Sequence, residues 1–182
     1  VSQDPSYPFT FKVVADPSIN AFALPGGPIY VHSGLIAAAD NEAQMAGVIA
    51  HEVGHVVLRH STNQASKQSI FQIPAALAAG ALGNSGGLLG SLANAGIGFG
   101  LNSVLLKYSR SAEHDADIVG ARMLAAAGYN PVEMATFFQK LEKEGGSQGP
   151  QFLASHPNPG NRVKYVTAEI QSYRTGNYTT NT

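Results

Sequence analysis

The chain contains no cysteine and no tryptophan. The first absence removes disulfides and every thiolate metal site, so any metal must be held by His, Asp or Glu. Charge is scarce too: 11 Lys and Arg against 12 Asp and Glu leave a net charge of −1 over 182 residues. That balance lacks the basic footprint of a nucleic-acid binder, and no nucleic-acid partner is expected. Between Lys67 and Lys107 there is no charged residue and no His. The apolar runs there are nevertheless broken, short of the ~20 consecutive apolar residues of a membrane span. The chain starts at Val1 rather than Met, which fits a leader already removed.

What is present suffices for one core, and residues 1–182 are read as a single domain. Residues 1–40 form an extended entry with a small antiparallel sheet. Phe9, Phe11 and Val13 alternate with polar neighbours, Asp16-Pro17-Ser18 is turn chemistry, and Asn20–Leu24 and Ile29–His32 flank Pro25-Gly26-Gly27-Pro28. Residues 41–62 hold a long helix, capped by Asp40 or Asn41 with Gln44 at capping-box spacing, running to about His60. Val48, Ile49, Val53, Val56 and Val57 give it one broad apolar face. Residues 67–107 read as two helical pieces around a hinge, with seven glycines from Gly83 to Gly100. Three roles suit the charge-free stretch 68–106: core packing, a mobile lid, or a surface touching membrane or another protein. Residues 109–128 form a third helix begun by Ser109 or Ser111 and stopped at Gly128-Tyr129-Asn130-Pro131. Within 130–175, Asn130 caps a fourth helix that Gly145-Gly146 ends, and the loop from Ser155 to Gly160 leads to a last helix, about Asn161 to Tyr173. The architecture is α+β and mostly helical.

His51-Glu52-Val53-Gly54-His55 is an HExxH sequence on the best-marked of these helices. Residues four apart share a helix face, so both imidazoles reach one ion. Glu52 reaches that ion's water without binding the metal itself. Zinc lowers the pKa of such a water to about 7. A catalytic zinc site takes three protein ligands and keeps one position open. The metzincin pattern HExxHxxGxxH fails, because Leu58 and Ser61 stand where Gly and His are needed. His60 is one residue off and points to another side of the helix. The dense acidic cluster downstream is Glu113-His114-Asp115-Ala116-Asp117. Glu113 and Asp117 share a face, so Glu113 can bind the metal while Asp117 accepts the ring N–H of a ligand His. His114 and Asp115 point elsewhere. An acidic helix start that favours the dipole would explain one acid, and less easily the pair.

Taken in order, NAFALPGGPIYVHSGLI, HEVGH, SAEHDAD and SHPNPGNR resemble family 48 of the metallopeptidases, the gluzincins with HtpX-like, BepA-like and CAAX-prenyl-protease-like members. The resemblance spans about Asn20 to Tyr173. It implies a zincin-like fold whose edge strand precedes the HExxH helix. It further implies one zinc ion per chain on His51, His55 and Glu113, with Glu52 as general base and Asp117 behind the ligands. His156 would sit at the mouth of the site, as oxyanion donor or as a switchable extra ligand. Arg162 belongs to the same motif; capping a helix or pairing with an acid are its other roles. Asn20, Ala21 and Phe22 would lie on the strand that holds substrate backbone by β-addition. Membrane members of the family carry clear transmembrane helices and BepA-like members a long helical-repeat extension, neither of which is evident here. The implied function is zinc-dependent endoproteolysis of unfolded or misfolded proteins. The alternative is a latent or non-catalytic, chaperone-like zinc protein that holds peptides. By resemblance, the expected place is the bacterial cell envelope, in the periplasm.

Overall fold

The computed structural model describes residues 8–64, 66, 108–144 and 150–171. Strands β1 (Thr10–Val14), β2 (Ala21–Ala23) and β3 (Pro28–His32) form one sheet in the order β1-β3-β2. The Pro25–Gly27 turn makes β2 and β3 an antiparallel hairpin, with the Leu24 N–H donating to Pro28 O at 2.8 Å. β1, however, pairs with β3 in parallel, Thr10 opposite Pro28 through Val14 opposite His32. The sheet is therefore mixed, not antiparallel as expected from the sequence. The cause lies in the turn at Asp16. Its carbonyl accepts from Ser33 Oγ and the Gly34 N–H, and its carboxylate accepts from the Ser18 N–H. These bonds carry the chain across the end of β3, so β2 enters on the far side and β1 is left running alongside its neighbour.

After a short helix α1 (Ser33–Ala38), α2 (Glu42–Val57) starts at Asn41, whose side chain accepts from the Gln44 N–H; Gln44 in turn accepts from the Asp40 N–H at 2.9 Å. The helix ends at Val57, earlier than the apolar pattern suggested. Arg59 takes φ +55°, uncommon for a residue with a Cβ, and residues 60–64 begin a new helical turn. Ser109 caps α3 (Arg110–Ala126) and Asn130 caps α4 (Val132–Glu144), its Oδ1 accepting from the Val132 N–H. A short α5 (Gln151–Ser155) and α6 (Arg162–Gln171), capped by Asn161, complete the described helices. Nothing of the 68–106 expectations, or of the Gly145-Gly146 stop, falls within the described residues.

The core sits where the sheet, α2 and α4 meet. Ala21, Ala23, Ile29 and Val31 face it from the sheet, and Met134, Phe137, Phe138 and Leu141 are fully buried along α4. Each large side chain buried there contributes about 1.5–3 kcal/mol. The crossing of α2 and α3 is built from small residues. A Cβ on Gly54 would stand 2.9 Å from Ala116 O, and one on Gly120 would stand 3.1 Å from His51 N. This close approach brings the acidic face of α3 up to the HExxH face of α2.

Candidate metal centre

α2 delivers His51, Glu52 and His55, α3 delivers Glu113 and Asp117, the loop after α5 delivers His156, and the first residue of α6 is Arg162; all are buried. Nε2 of His51 and Nε2 of His55 face each other at 3.0 Å. Glu113 closes the group, with Oε2 3.4 Å from His51 Nε2 and Oε1 3.3 Å from His55 Nε2. Donors bound to one zinc at 2.0–2.1 Å in tetrahedral geometry stand ~3.4 Å apart. The two spacings to Glu113 match that figure and the His51–His55 spacing is somewhat shorter, and His51, His55, Glu113 and His156 form a group able to hold a metal ion.

Each member of the group is braced from behind. His51 Nδ1 donates to Asp117 Oδ1 at 2.8 Å. Asp117 is itself held by Tyr165 Oη, which donates to it, and by Arg162 Nε at 2.9 Å from Oδ2. The same guanidinium donates through Nη2 to Glu113 Oε2 at 2.8 Å, and its Cζ lies 4.3 Å over the Phe138 ring. His55 Nδ1 faces His60 Nδ1 at 2.9 Å, and Tyr108 stacks on the His55 ring at 3.9 Å.

Charge follows from this list. Three buried carboxylates, Glu52, Glu113 and Asp117, face one buried guanidinium, so with neutral imidazoles and ionised acids the centre carries two negative charges. A divalent cation cancels them. Burial alone would lower His51, but Asp117 and Glu113 outweigh it and push it up to about 9. Burial would raise Glu113, but His156 and His51 hold it well below the usual carboxylate range. Burial takes His55 well below the ordinary imidazole value, and lowers His60 too. Glu52 is raised by burial, against the pull of His156 and His51. Glu52 Oε1 lies 3.3 Å from His156 Nε2 and the Ala23 N–H approaches the carboxylate, yet no side-chain hydrogen bond closes either oxygen among the described residues. A buried carboxylate held this loosely, beside two inward-facing imidazole nitrogens and a second carboxylate, fits a zinc site with its water.

The structure thus brings together His51, Glu52, His55, Glu113, Asp117, His156 and Arg162, and leaves His114 and Asp115 on the exterior. His156 lies inside the centre, not at its mouth: Nδ1 is 3.3 Å from His51 Nε2 and 3.1 Å from Glu113 Oε1, while Nε2 is 3.3 Å from Glu52 Oε1. The three strand residues divide. The His32 N–H donates to Asn20 O and the Leu24 N–H to Pro28 O, so by antiparallel alternation Asn20 and Phe22 turn their polar backbone toward β3. Ala21 and Ala23 turn theirs to the other side, the β2 edge that no strand covers among the described residues, where the Ala23 N–H approaches Glu52. Sequence reasoning missed Tyr108, Tyr165 and His60. The last was assigned to another side of the helix, and the break at Arg59 is what brings it back to His55.

An HExxH helix crossed by a second helix that presents a carboxylate is the arrangement of a gluzincin-type domain. The family model described as peptidase family M48 matches residues 1–170, and the chain belongs to that family. It is 35% identical to the beta-barrel assembly-enhancing protease of Escherichia coli (strain K12), over 86% of this chain and 33% of that protein. It is 33% identical to the mitochondrial metalloendopeptidase OMA1 of Schizosaccharomyces pombe, over 85% of this chain and 44% of the other. With the metalloprotease LoiP of Escherichia coli (strain K12) the identity is 35%, over 87% of this chain and 62% of the relative. The chain spans about a third of the length of the beta-barrel assembly-enhancing proteases it matches. The metal of this family is zinc, and the buried donor group suits it.

Proposed function

We propose that this chain is a zinc-dependent endopeptidase, with zinc held by His51, His55 and Glu113 and Glu52 as general base. The observation that carries the reading is Glu52: fully buried, closed by no side-chain hydrogen bond among the described residues, on the same helix turn as the inward-facing nitrogens. Zinc, when bound, supplies a Lewis acid that brings the pKa of water to about 7. Glu52 takes the proton of that water and passes it to the leaving amine, and the raised affinity of a buried carboxylate for protons suits both transfers. Asp117, braced by Arg162 and Tyr165, keeps the His51 tautomer that leaves Nε2 bare. Substrate backbone adds at Ala21, on the edge of β2 that no strand covers among the described residues. Its chemistry is that of an extended segment of unfolded or misfolded protein. The names of the bacterial relatives support an envelope setting, taken here as the periplasm. Among the described residues no helix is long and apolar enough to cross a membrane.

A second reading is favoured by one observation: His156 offers Nδ1 to the donor group. As a fourth ligand it would close the site and make this form latent; as a neighbour of Glu52 it would stabilise developing oxyanion charge. Casein cleavage by zinc-loaded chain tests the main reading, with Glu52→Gln expected to fall by at least about a hundredfold. Equal cleavage by both would remove Glu52 from the chemistry. In the same assay His156→Ala separates the two roles: activity rises if His156 blocks the site, and falls about a hundredfold if it serves the oxyanion.

A further inference from the structure

His51 has a carboxylate behind it, and His55 has none among the described residues. The outer nitrogen of His55, Nδ1, instead faces Nδ1 of His60 at 2.9 Å, with the rings inclined by 70°. Two neutral imidazole nitrogens that close attract only with one proton between them. Nε2 of His55 points inward, 3.0 Å from His51 Nε2 and 3.3 Å from Glu113 Oε1, and must be bare to take a metal. The shared proton therefore belongs to Nδ1 of His55.

We propose that His60 is a positioning residue of the metal centre: its Nδ1 accepts the Nδ1–H of His55 and fixes the tautomer that leaves Nε2 free for zinc. The inference rests on the zinc-peptidase reading above. His60, itself half-buried, in turn carries its own proton on Nε2. The backbone supports this role. On a continuous helix, His60 would lie about 140° around the axis from His55. The chain instead breaks, with Leu58 capping α2, Arg59 at φ +55°, and the Asn63 N–H donating to Arg59 O at 2.8 Å to restart the helix. The next residue, Ser61, holds Tyr108 Oη at 2.6 Å, and Tyr108 lies flat on His55. One strained turn thus grips the imidazole twice, at its edge through His60 and on its face through Tyr108. Uncommon backbone kept at a functional group is a mark of positioning.

The test uses the whole chain as His60→Ala and His60→Asn, with zinc affinity read by competition against a chromophoric chelator. Circular dichroism and thermal unfolding of the metal-free proteins check the fold. Asn places Oδ1 where Nδ1 of His stands and restores the acceptor. His60→Ala is expected to lose about tenfold to a hundredfold in zinc affinity, and His60→Asn to recover most of it, with both metal-free variants unfolding as the parent does. Wild-type affinity in both variants, or the same loss in both, would overturn the proposal. A parent chain that takes up no zinc would remove the zinc-peptidase reading and this inference with it, a distinct outcome visible before any variant is compared.

Discussion

His51 and His55 stand one turn apart on α2, yet they are held by different means. Behind His51 lies Asp117, fixed by Arg162 and Tyr165, all buried or partly buried among packed helices. Behind His55 lies His60, neutral and half-exposed, carried on a two-residue break in the helix. The first arrangement is a network of charges that also joins α3 to α6. The second is a local turn that reaches the rest of the fold through Ser61 and Tyr108. A metal ligand can therefore be oriented either by the core of the fold or by a turn attached to it, and the two should fail differently.

Asp117→Ala gives the largest expected effect. It removes one of the two carboxylates paired with Arg162 and leaves Glu113 alone to hold the guanidinium, and breaking a buried ion pair costs about 3–5 kcal/mol. Urea unfolding of the metal-free chain should show that loss, while His60→Ala stays within about 0.5 kcal/mol of the parent. Equal losses would erase the distinction between the two arms. Gly54→Ala comes next. Its Cβ would press on Ala116 O and part α3 from α2, at about 1–3 kcal/mol in thermal unfolding. Because His55 and His60 lie on one stretch of chain, the damage should fall on the Glu113 and Asp117 side. Nuclear resonance of the His55 Nδ1 proton should survive in this variant, and its disappearance would show that the turn depends on the helix crossing. The smallest effect is in protons. His51 is raised to about 9 and His55 is lowered, so zinc binding at pH 7.5 should release about one proton, from the His51 side. Protonated His51 stabilises the metal-free fold fully below pH 6.5, and that contribution is lost as pH rises through about 9. Zinc affinity accordingly rises with pH across that window. Calorimetry in two buffers of different ionisation enthalpy measures the release, and proton uptake would contradict it.

Much of the His51 side was legible in the sequence, because it is written in helical periods. The i, i+4 spacings of His51 with His55 and of Glu113 with Asp117 survive directly in the structure, as do the Asn41 and Ser109 caps. The His55 side was not. A left-handed residue is signalled by Gly or Asn, and here Arg59 adopts it, so the period pointed His60 the wrong way. The mixed sheet escaped for a related reason. Alternation shows that Phe11 and Val13 lie in a strand, but not which neighbour the strand takes, and the bonds to Asp16 that decide it come from the start of α1. Tyr108 and Tyr165 carry no motif at all; their places follow from tertiary packing alone.

Arg162 has one more consequence. It clamps Glu113 and Asp117 at one end of the loop 157–161, while His156 lies among the donors at the other. The segment between them is tethered on the Arg162 side by two charged contacts and on the His156 side by a ring stacked on Phe152. The His156 end is held by backbone as well, its N–H donating to Phe152 O at 3.0 Å. The five residues 157–161, with Gly160 at φ +131°, are thus a short strap between two posts. Withdrawing the His156 backbone from the donor group would break the end of α5.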